Sequence, residues 1–178
     1  RAYWDTCQAV AAFRGDMPAR VLAAAKQGNT DAAELVLPFG ANPNQADPVT
    51  AESALMIAAE EDHIEMVKML LSYGAEPNLI SRKSGNTALH NACRTGKPRS
   101  IKALVEAGAF IDIQRPTTGE TPLHEALKSG FPECAEILIE AGASKDVVAL
   151  DGKRPADIAA ETLGPNAPIL ARLATRAR

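Results

Sequence analysis

The sequence predicts an all-α solenoid, in which about five helix-turn-helix units stack side by side and are separated by β-hairpin finger loops. The dipeptide Gly-Ala occurs four times at intervals of 34 residues, and a short motif that begins with Thr or Ser keeps the same spacing. A repeat of this length indicates small units that bury their apolar faces against one another. Only 4% of the residues are aromatic, which favours a core of closely packed aliphatic helices. The glycines of the dipeptide are Gly40, Gly74, Gly108 and Gly142.

The helices of the third unit can be placed from their end signals. Thr87 is an N-cap residue whose hydroxyl can accept a free N–H of the first turn, so a helix starts there and runs to about Arg94. Gly96 ends this helix, and Pro98 begins the second one, at a position where proline is tolerated. Gly108 ends the second helix, since glycine adopts the left-handed C-terminal conformation without strain.

The same plan divides the rest of the chain. The fourth unit opens at Thr121, breaks at Gly130 and restarts at Pro132, and the second unit opens at Ser53. The first unit lacks the threonine motif and the last has Asp157 in place of its histidine, so we expect both to cap the stack. We therefore predict one domain over residues 1–178, composed of an N-terminal capping helix (1–17), four repeats (18–52, 53–86, 87–120 and 121–153) and a C-terminal capping repeat (154–178).

The segment after each Gly-Ala pair predicts a hairpin loop, which we call a finger. Ser84-Gly85, Thr118-Gly119 and Asp151-Gly152 are typical hairpin turn pairs. The first loop has Asp47-Pro48 and lacks glycine, so we expect it to be less regular than the others.

These motifs resemble those of ankyrin repeats. Thr121-Pro122-Leu123-His124 matches the family's first-helix motif, and Gly40-Ala41-Asn42-Pro43-Asn44 nearly matches the Gly-Ala-Asp-x-Asn that precedes its hairpin. The resemblance covers about residues 18–173. A tetratricopeptide repeat can share the period, but its Trp and Tyr pattern is missing here. The resemblance implies an all-α ankyrin-repeat solenoid that binds partners on its concave side. The ankyrin period is usually one residue shorter, so we expect slightly longer fingers.

Charge and composition exclude several classes of protein. The net charge is -3, whereas a nucleic-acid binder is expected to be strongly basic, so a nucleic-acid partner is disfavoured. Three widely spaced cysteines give no disulfide framework, which favours an intracellular protein, cytoplasmic or nuclear. No apolar run approaches the roughly 18 residues that span a bilayer, so we expect no membrane insertion. Because the chain begins with Arg1 and not Met, we expect it to be part of a longer protein.

The sequence gives no support for catalysis, and we predict no catalytic residue, no metal site and no cofactor. His90 and His124 stand at the motif's histidine, which the resemblance makes a structural hydrogen-bonding residue. His90 and Cys93 have the spacing of metal ligands, but Cys93 lies at a position where small residues pack. Cys134 falls on the apolar face of its helix, so we expect it in the core. No phosphate-binding loop, dinucleotide fingerprint or zinc-protease motif is present.

The residues that vary between units, while the packing residues repeat, mark the candidate binding surface. They lie at the ends of the first helices and in the fingers, and their basic members gather in the third and fourth units beside an acidic edge. We predict a protein or peptide partner and a chain that is monomeric by itself. The predicted partner-binding residues are Glu60, Glu61, Arg82, Lys83, Arg94, Thr95, Arg115, Thr117, Lys128 and Ser129.

Other functions stay open at this stage. The basic centre could instead bind an anionic ligand, such as a phosphopeptide, a lipid head group or a nucleic acid, and steep salt dependence would favour that alternative. A cryptic enzyme and a purely structural spacer are the remaining hypotheses.

Overall fold

The computed structural model describes residues 16–174, and these residues form two layers of short helices. Each unit contributes one helix to each layer. The first helices are α1 (residues 16–27), α3 (Ala54–Glu60), α5 (Ala88–Arg94), α7 (Pro122–Lys128) and α9 (Pro155–Leu163). The second helices are α2 (Thr30–Glu34, followed by a 3-10 turn over Leu37–Phe39), α4 (Ile64–Ser72), α6 (Pro98–Glu106), α8 (Pro132–Glu140) and α10 (Pro168–Ala174).

The helices stack in chain order within each layer. Helices α3, α5, α7 and α9 pack one against the next, and α4, α6, α8 and α10 do the same beside them. The all-α solenoid predicted from the repeat is therefore confirmed.

The two ends of the stack are less regular than its middle. The predicted capping segment, residues 1–17, lies almost entirely outside the described residues, and the boundary placed after residue 17 falls within α1. The second helix of the first unit is split, because Pro38 has no N–H with which to continue an α-helix. At the other end, α10 packs against α8 and α9.

The threonine–histidine motif joins each unit to the next finger. The Thr87 hydroxyl caps the N–H of His90, and the His90 Nδ1 accepts the N–H of Thr87 at 3.3 Å. The opposite ring nitrogen, Nε2, lies 3.2 Å from the Glu120 carbonyl oxygen, in the following finger. Because Nδ1 accepts, the ring proton is on Nε2 and is donated to that carbonyl. His124 repeats the arrangement with Thr121, and its Nε2 lies 3.4 Å from the Lys153 carbonyl oxygen.

A second ladder of side chains runs through the Asn or Asp that follows each Gly-Ala glycine by four residues. In each case the side-chain oxygen Oδ1 accepts a backbone N–H of the next unit, so the recurring residue is a link between units. The pairs are Asn44 with the N–H of Glu76 at 2.8 Å, Asn78 with Phe110 at 2.7 Å, and Asp112 with Ser144 at 2.9 Å.

The fingers turn back on themselves as predicted, but they are too short to form paired strands. Each finger is closed by two backbone hydrogen bonds; in the second finger the Ser81 N–H donates to the Asn86 carbonyl at 2.8 Å and the Gly85 N–H to the Ser81 carbonyl at 2.9 Å. Within the described residues the β-structure is a single antiparallel bridge between Ala46 and Ser53. The first finger closes in the same way without glycine, because Ala51 takes the left-handed conformation, with φ of 61°.

The core consists of small and aliphatic side chains that let the helices approach closely. Ala59, Cys93 and Leu127 stand at one position of successive units, and all three are fully buried. The backbone at Gly96 lies directly against the ring of Phe131 in the next unit. A Cβ atom at this position would lie 2.5 Å from that ring.

We expect Gly96→Ala to destabilise the stack more than the matched change Gly130→Ala. Both glycines have positive φ, 68° and 79°, so both substitutions carry about 1–2 kcal/mol of backbone strain. Only at Gly96 does the new methyl group also meet the Phe131 ring, which adds about 1–3 kcal/mol of overpacking. Urea unfolding of the two variants gives the difference. Equal destabilisation would show that the ring moves aside freely.

Candidate protein-interaction surface

The fingers lie over the first helices, and together they form one continuous surface, which we call the finger face. Contacts between the two kinds of element define it: Lys26 of α1 pairs with Asp47 of the first finger, at 3.0 Å, and Asn91 of α5 donates to Glu52, also at 3.0 Å. Each predicted partner-binding residue lies on this face. The residues at the ends of first helices are Glu60, Glu61, Arg94, Thr95, Lys128 and Ser129, and those in fingers are Arg82, Lys83, Arg115 and Thr117.

The predicted acidic edge and basic centre are not separate, because they are ion-paired across units. The Arg94 guanidinium binds the Glu60 carboxylate at 2.8 Å, and the Asn91 amide donates to the same carboxylate at 3.2 Å. The Thr95 hydroxyl lies 2.9 Å from the Asn91 carbonyl oxygen and 3.3 Å from that of Glu60. The predicted site residues Glu60, Arg94 and Thr95 therefore hold α3 and α5 together. Each of them also remains partly exposed to solvent.

Arg115 is the clearest correction to the sequence interpretation. We expected it to be exposed in its finger, but its side chain is only 13% exposed. It binds Glu120 at 3.0 Å and Glu125 at 2.5 Å, and these carboxylates are themselves 6% and 7% exposed. The cause is the closing bond of the finger between the Arg115 N–H and the Glu120 carbonyl, which brings the arginine back onto α7.

Lys128 completes this buried charge cluster from the solvent side. Its ammonium binds Glu120 at 2.7 Å. Burial of Glu120 opposes ionisation, but hydrogen bonds from Lys128 and Thr118, with the charges of Lys128 and Arg115, outweigh it and lower the pKa of Glu120. Glu120 therefore carries its negative charge near neutral pH, where Arg115 and Lys128 bind it.

Sequence reasoning missed the residues that compensate these charges. Glu120 and Glu125 replace Asn86 and Asn91 of the unit before, and Asn91 already binds Glu52 and Glu60. The sequence did contain a signal for this cluster. Two amides of one repeat are replaced by two carboxylates one period later, close to Arg115.

The finger face retains exposed groups that are not compensated in this way. Arg82 is exposed and forms no ion pair within the described part of the chain. The Lys83 ammonium donates to the Val49 carbonyl, and Thr117 and Glu61 are exposed. Large apolar side chains stand beside them in the fingers, above all Val49 and Leu150, which are 71% and 74% exposed.

The buried histidines and cysteines are held in structural roles. Burial lowers the pKa of His90 to about 4, and burial likewise lowers that of His124. Burial raises the pKa of the Cys93 thiol well above its usual range and that of Cys134 to about 11, so neither is a thiolate near neutral pH. Over residues 16–174, no group of His, Cys, Asp and Glu side chains is arranged to hold a metal ion. No helix in that same span has the length and apolarity to cross a bilayer.

Comparison with known families decides the relationship of the chain. A family model described as ankyrin repeats, in three copies, matches residues 21–116 and 74–151. The chain belongs to the ankyrin-repeat family. Ankyrin repeats are generally protein–protein interaction modules. No curated protein sequence matches this ankyrin-repeat chain at a significant level.

We expect Arg115→Met to destabilise the protein by about 3–5 kcal/mol at pH 7, because it leaves Glu125 buried without its cation and Glu120 with Lys128 alone. The matched change Arg82→Met removes an exposed arginine and should alter stability by about 0.5 kcal/mol or less. Urea unfolding measures both. The triple variant R115M/E120Q/E125Q should recover much of the loss, and a triple variant as unstable as Arg115→Met would contradict the assignment to unpaired charge.

We also expect a loss of stability as the pH falls from about 6.5 to about 4. The folded-state pKa of His90 is lowered to about 4, so in this window the unfolded chain binds a proton that the folded chain does not. Neutral His90 therefore contributes roughly 3 kcal/mol to the free energy of unfolding. This contribution is fully present above the pKa of His90 in the unfolded chain and is lost as the pH falls to its folded-state pKa. His90→Gln should flatten the pH dependence of unfolding in this window, relative to the parent chain. An unchanged slope would show that His90 titrates normally in the folded state.

Proposed function

We propose that the finger face binds a partner protein or peptide, and that the chain serves as a scaffold or regulatory domain of a larger protein. Family membership supports an interaction role. The contrast between residues that repeat and residues that vary supports the finger face as the binding surface. The residues that repeat every 34 positions form hydrogen bonds within the stack, as His90 and Asn78 do. Finger residues such as Val49, Arg82 and Thr117 differ from unit to unit and are exposed to solvent.

The observation that carries this proposal is the exposure of apolar side chains in the fingers. Among the described residues, eight large hydrophobic side chains are exposed, and half of them lie in or beside fingers: Val49, Ile80, Val148 and Leu150. Ile80 and Val148 are 43% and 51% exposed, so neighbouring fingers do not enclose them. Apolar groups on protruding loops, with polar groups around them, are typical of a partner surface.

The alternative, an anionic ligand bound at a central basic patch, has less support. It requires free cations in the third and fourth units, but Arg94, Arg115 and Lys128 already bind carboxylates of this chain. A phosphate or nucleic acid would have to break those pairs, and breaking the Arg115 pairs would leave buried carboxylates uncompensated.

Site-specific photo-crosslinking in cell extract tests the proposal. A photoreactive amino acid replaces Thr117 or Val49 on the finger face. The control position is Glu136, which is exposed on α8 in the layer of second helices. We expect a crosslinked partner from the finger positions and none from position 136. A partner that crosslinks only from position 136 would move the binding surface to the second helices. Loss of the finger crosslinks at moderate salt would instead favour the anionic-ligand alternative.

A further inference from the structure

The fingers are packed closely along the C-terminal part of the stack. The Leu150 N–H donates to the Thr118 carbonyl at 2.8 Å, which joins the third finger to the fourth, and a Cβ on Gly119 would lie 2.9 Å from the same Leu150 nitrogen. A Cβ on Gly85 would lie 3.0 Å from the Arg115 side chain, so the second and third fingers are also in contact. Each of these two pairs of fingers is therefore in direct contact.

The first and second fingers enclose a groove. A groove of about 540 Å³ opens between them, within the range of about 300–1,000 Å³ typical of ligand sites. The Lys83 ammonium reaches the Val49 carbonyl and bridges the fingers near their tips. Ala51 occupies the place that Gly85 and Gly119 hold in the following fingers.

The groove has a mixed lining, of which one part is apolar. Its walls include Pro48 from the first finger and Leu79 and Ile80 from the second. Met56 of α3 also lines it and is almost fully buried, so we place the thioether at the bottom. A methionine side chain adapts readily to the shape of an inserted apolar group.

One uncompensated positive charge stands on this groove. Arg82 lines it and is exposed, and within residues 16–174 no carboxylate pairs with its guanidinium. The acidic residue of the lining is Asp47, whose carboxylate already accepts the N–H groups of Thr50 and Val49 and pairs with Lys26. Hydrogen bonds from the Thr50 N–H, Lys26 and the Val49 N–H, in that order, lower the pKa of Asp47 to about 2, so this charge is satisfied inside the protein.

We propose that the groove between the first two fingers binds an acidic peptide segment of the partner, with an apolar side chain in the groove and a carboxylate on Arg82. This inference rests on the proposed interaction function and names the chemistry of the partner. The fork of the guanidinium matches a carboxylate in a bidentate pair. A phosphorylated side chain is less suited, because phosphate recognition by proteins uses clusters of arginines, and this groove has Arg82 alone.

Panning of a random peptide library against the purified chain tests this inference directly. We expect enriched peptides to carry Asp or Glu next to an aliphatic or aromatic residue. Arg82→Glu should abolish that enrichment. The control is Lys102→Glu, which makes the same change in net charge on the exposed outer side of α6 and should retain it. Circular dichroism confirms that each variant is folded.

Binding of one enriched peptide, followed by fluorescence polarisation, separates the two features of the groove. Arg82→Ala should weaken binding about tenfold or more, as expected for loss of a charge-assisted hydrogen-bond pair. Ile80→Ser should weaken it as well, without changing its salt dependence. Peptides that bind Arg82→Glu as well as the parent would overturn the groove assignment and leave the interaction module intact. No enrichment on the parent chain would also overturn it, and crosslinking from the fingers would then decide whether the proposed function stands.

Discussion

The structure depends on side chains that hold backbone groups about 30 residues further along the chain. His90 caps the start of α5 through Thr87 and also holds the finger that follows, through the Glu120 carbonyl. Asn78 links neighbouring units, because its side chain accepts the N–H of Phe110 in the next unit. A helix pair of this size buries too little apolar surface to be stable alone, so these links and the buried alanines between neighbours supply the cooperativity.

The same coupling between units determines which charges are left for a partner. Arg94 and Arg115 appear in the sequence as free cations, yet the first ties α5 to α3 and the second is enclosed by Glu120 and Glu125. Among the described residues, Arg82 and Lys83 are exposed cations of the finger face that form no ion pair with a carboxylate, and only Arg82 lines the groove. The recognition proposed above therefore uses apolar finger residues and Arg82, and not a broad basic surface.

The fold could be predicted almost completely, because its signals are local and repeated. A Thr N-cap, a glycine with positive φ and a proline at a helix start each act within a few residues, and recurrence with one period places the units in order. The candidate site could be predicted only as a list of positions. Pairing of Arg94 with Glu60 joins residues 34 apart in sequence, and the burial of Arg115 depends on how one finger closes onto α7.

The sequence by itself determined the all-α repeat class of the protein and the residues that repeat inside the stack. These follow from chain stereochemistry and from the spacing of apolar residues, which each unit carries in full. Tertiary structure alone decided which charges are compensated, which fingers touch and where a groove remains open. Those properties depend on distances between side chains of different units, which exist only once the stack is assembled.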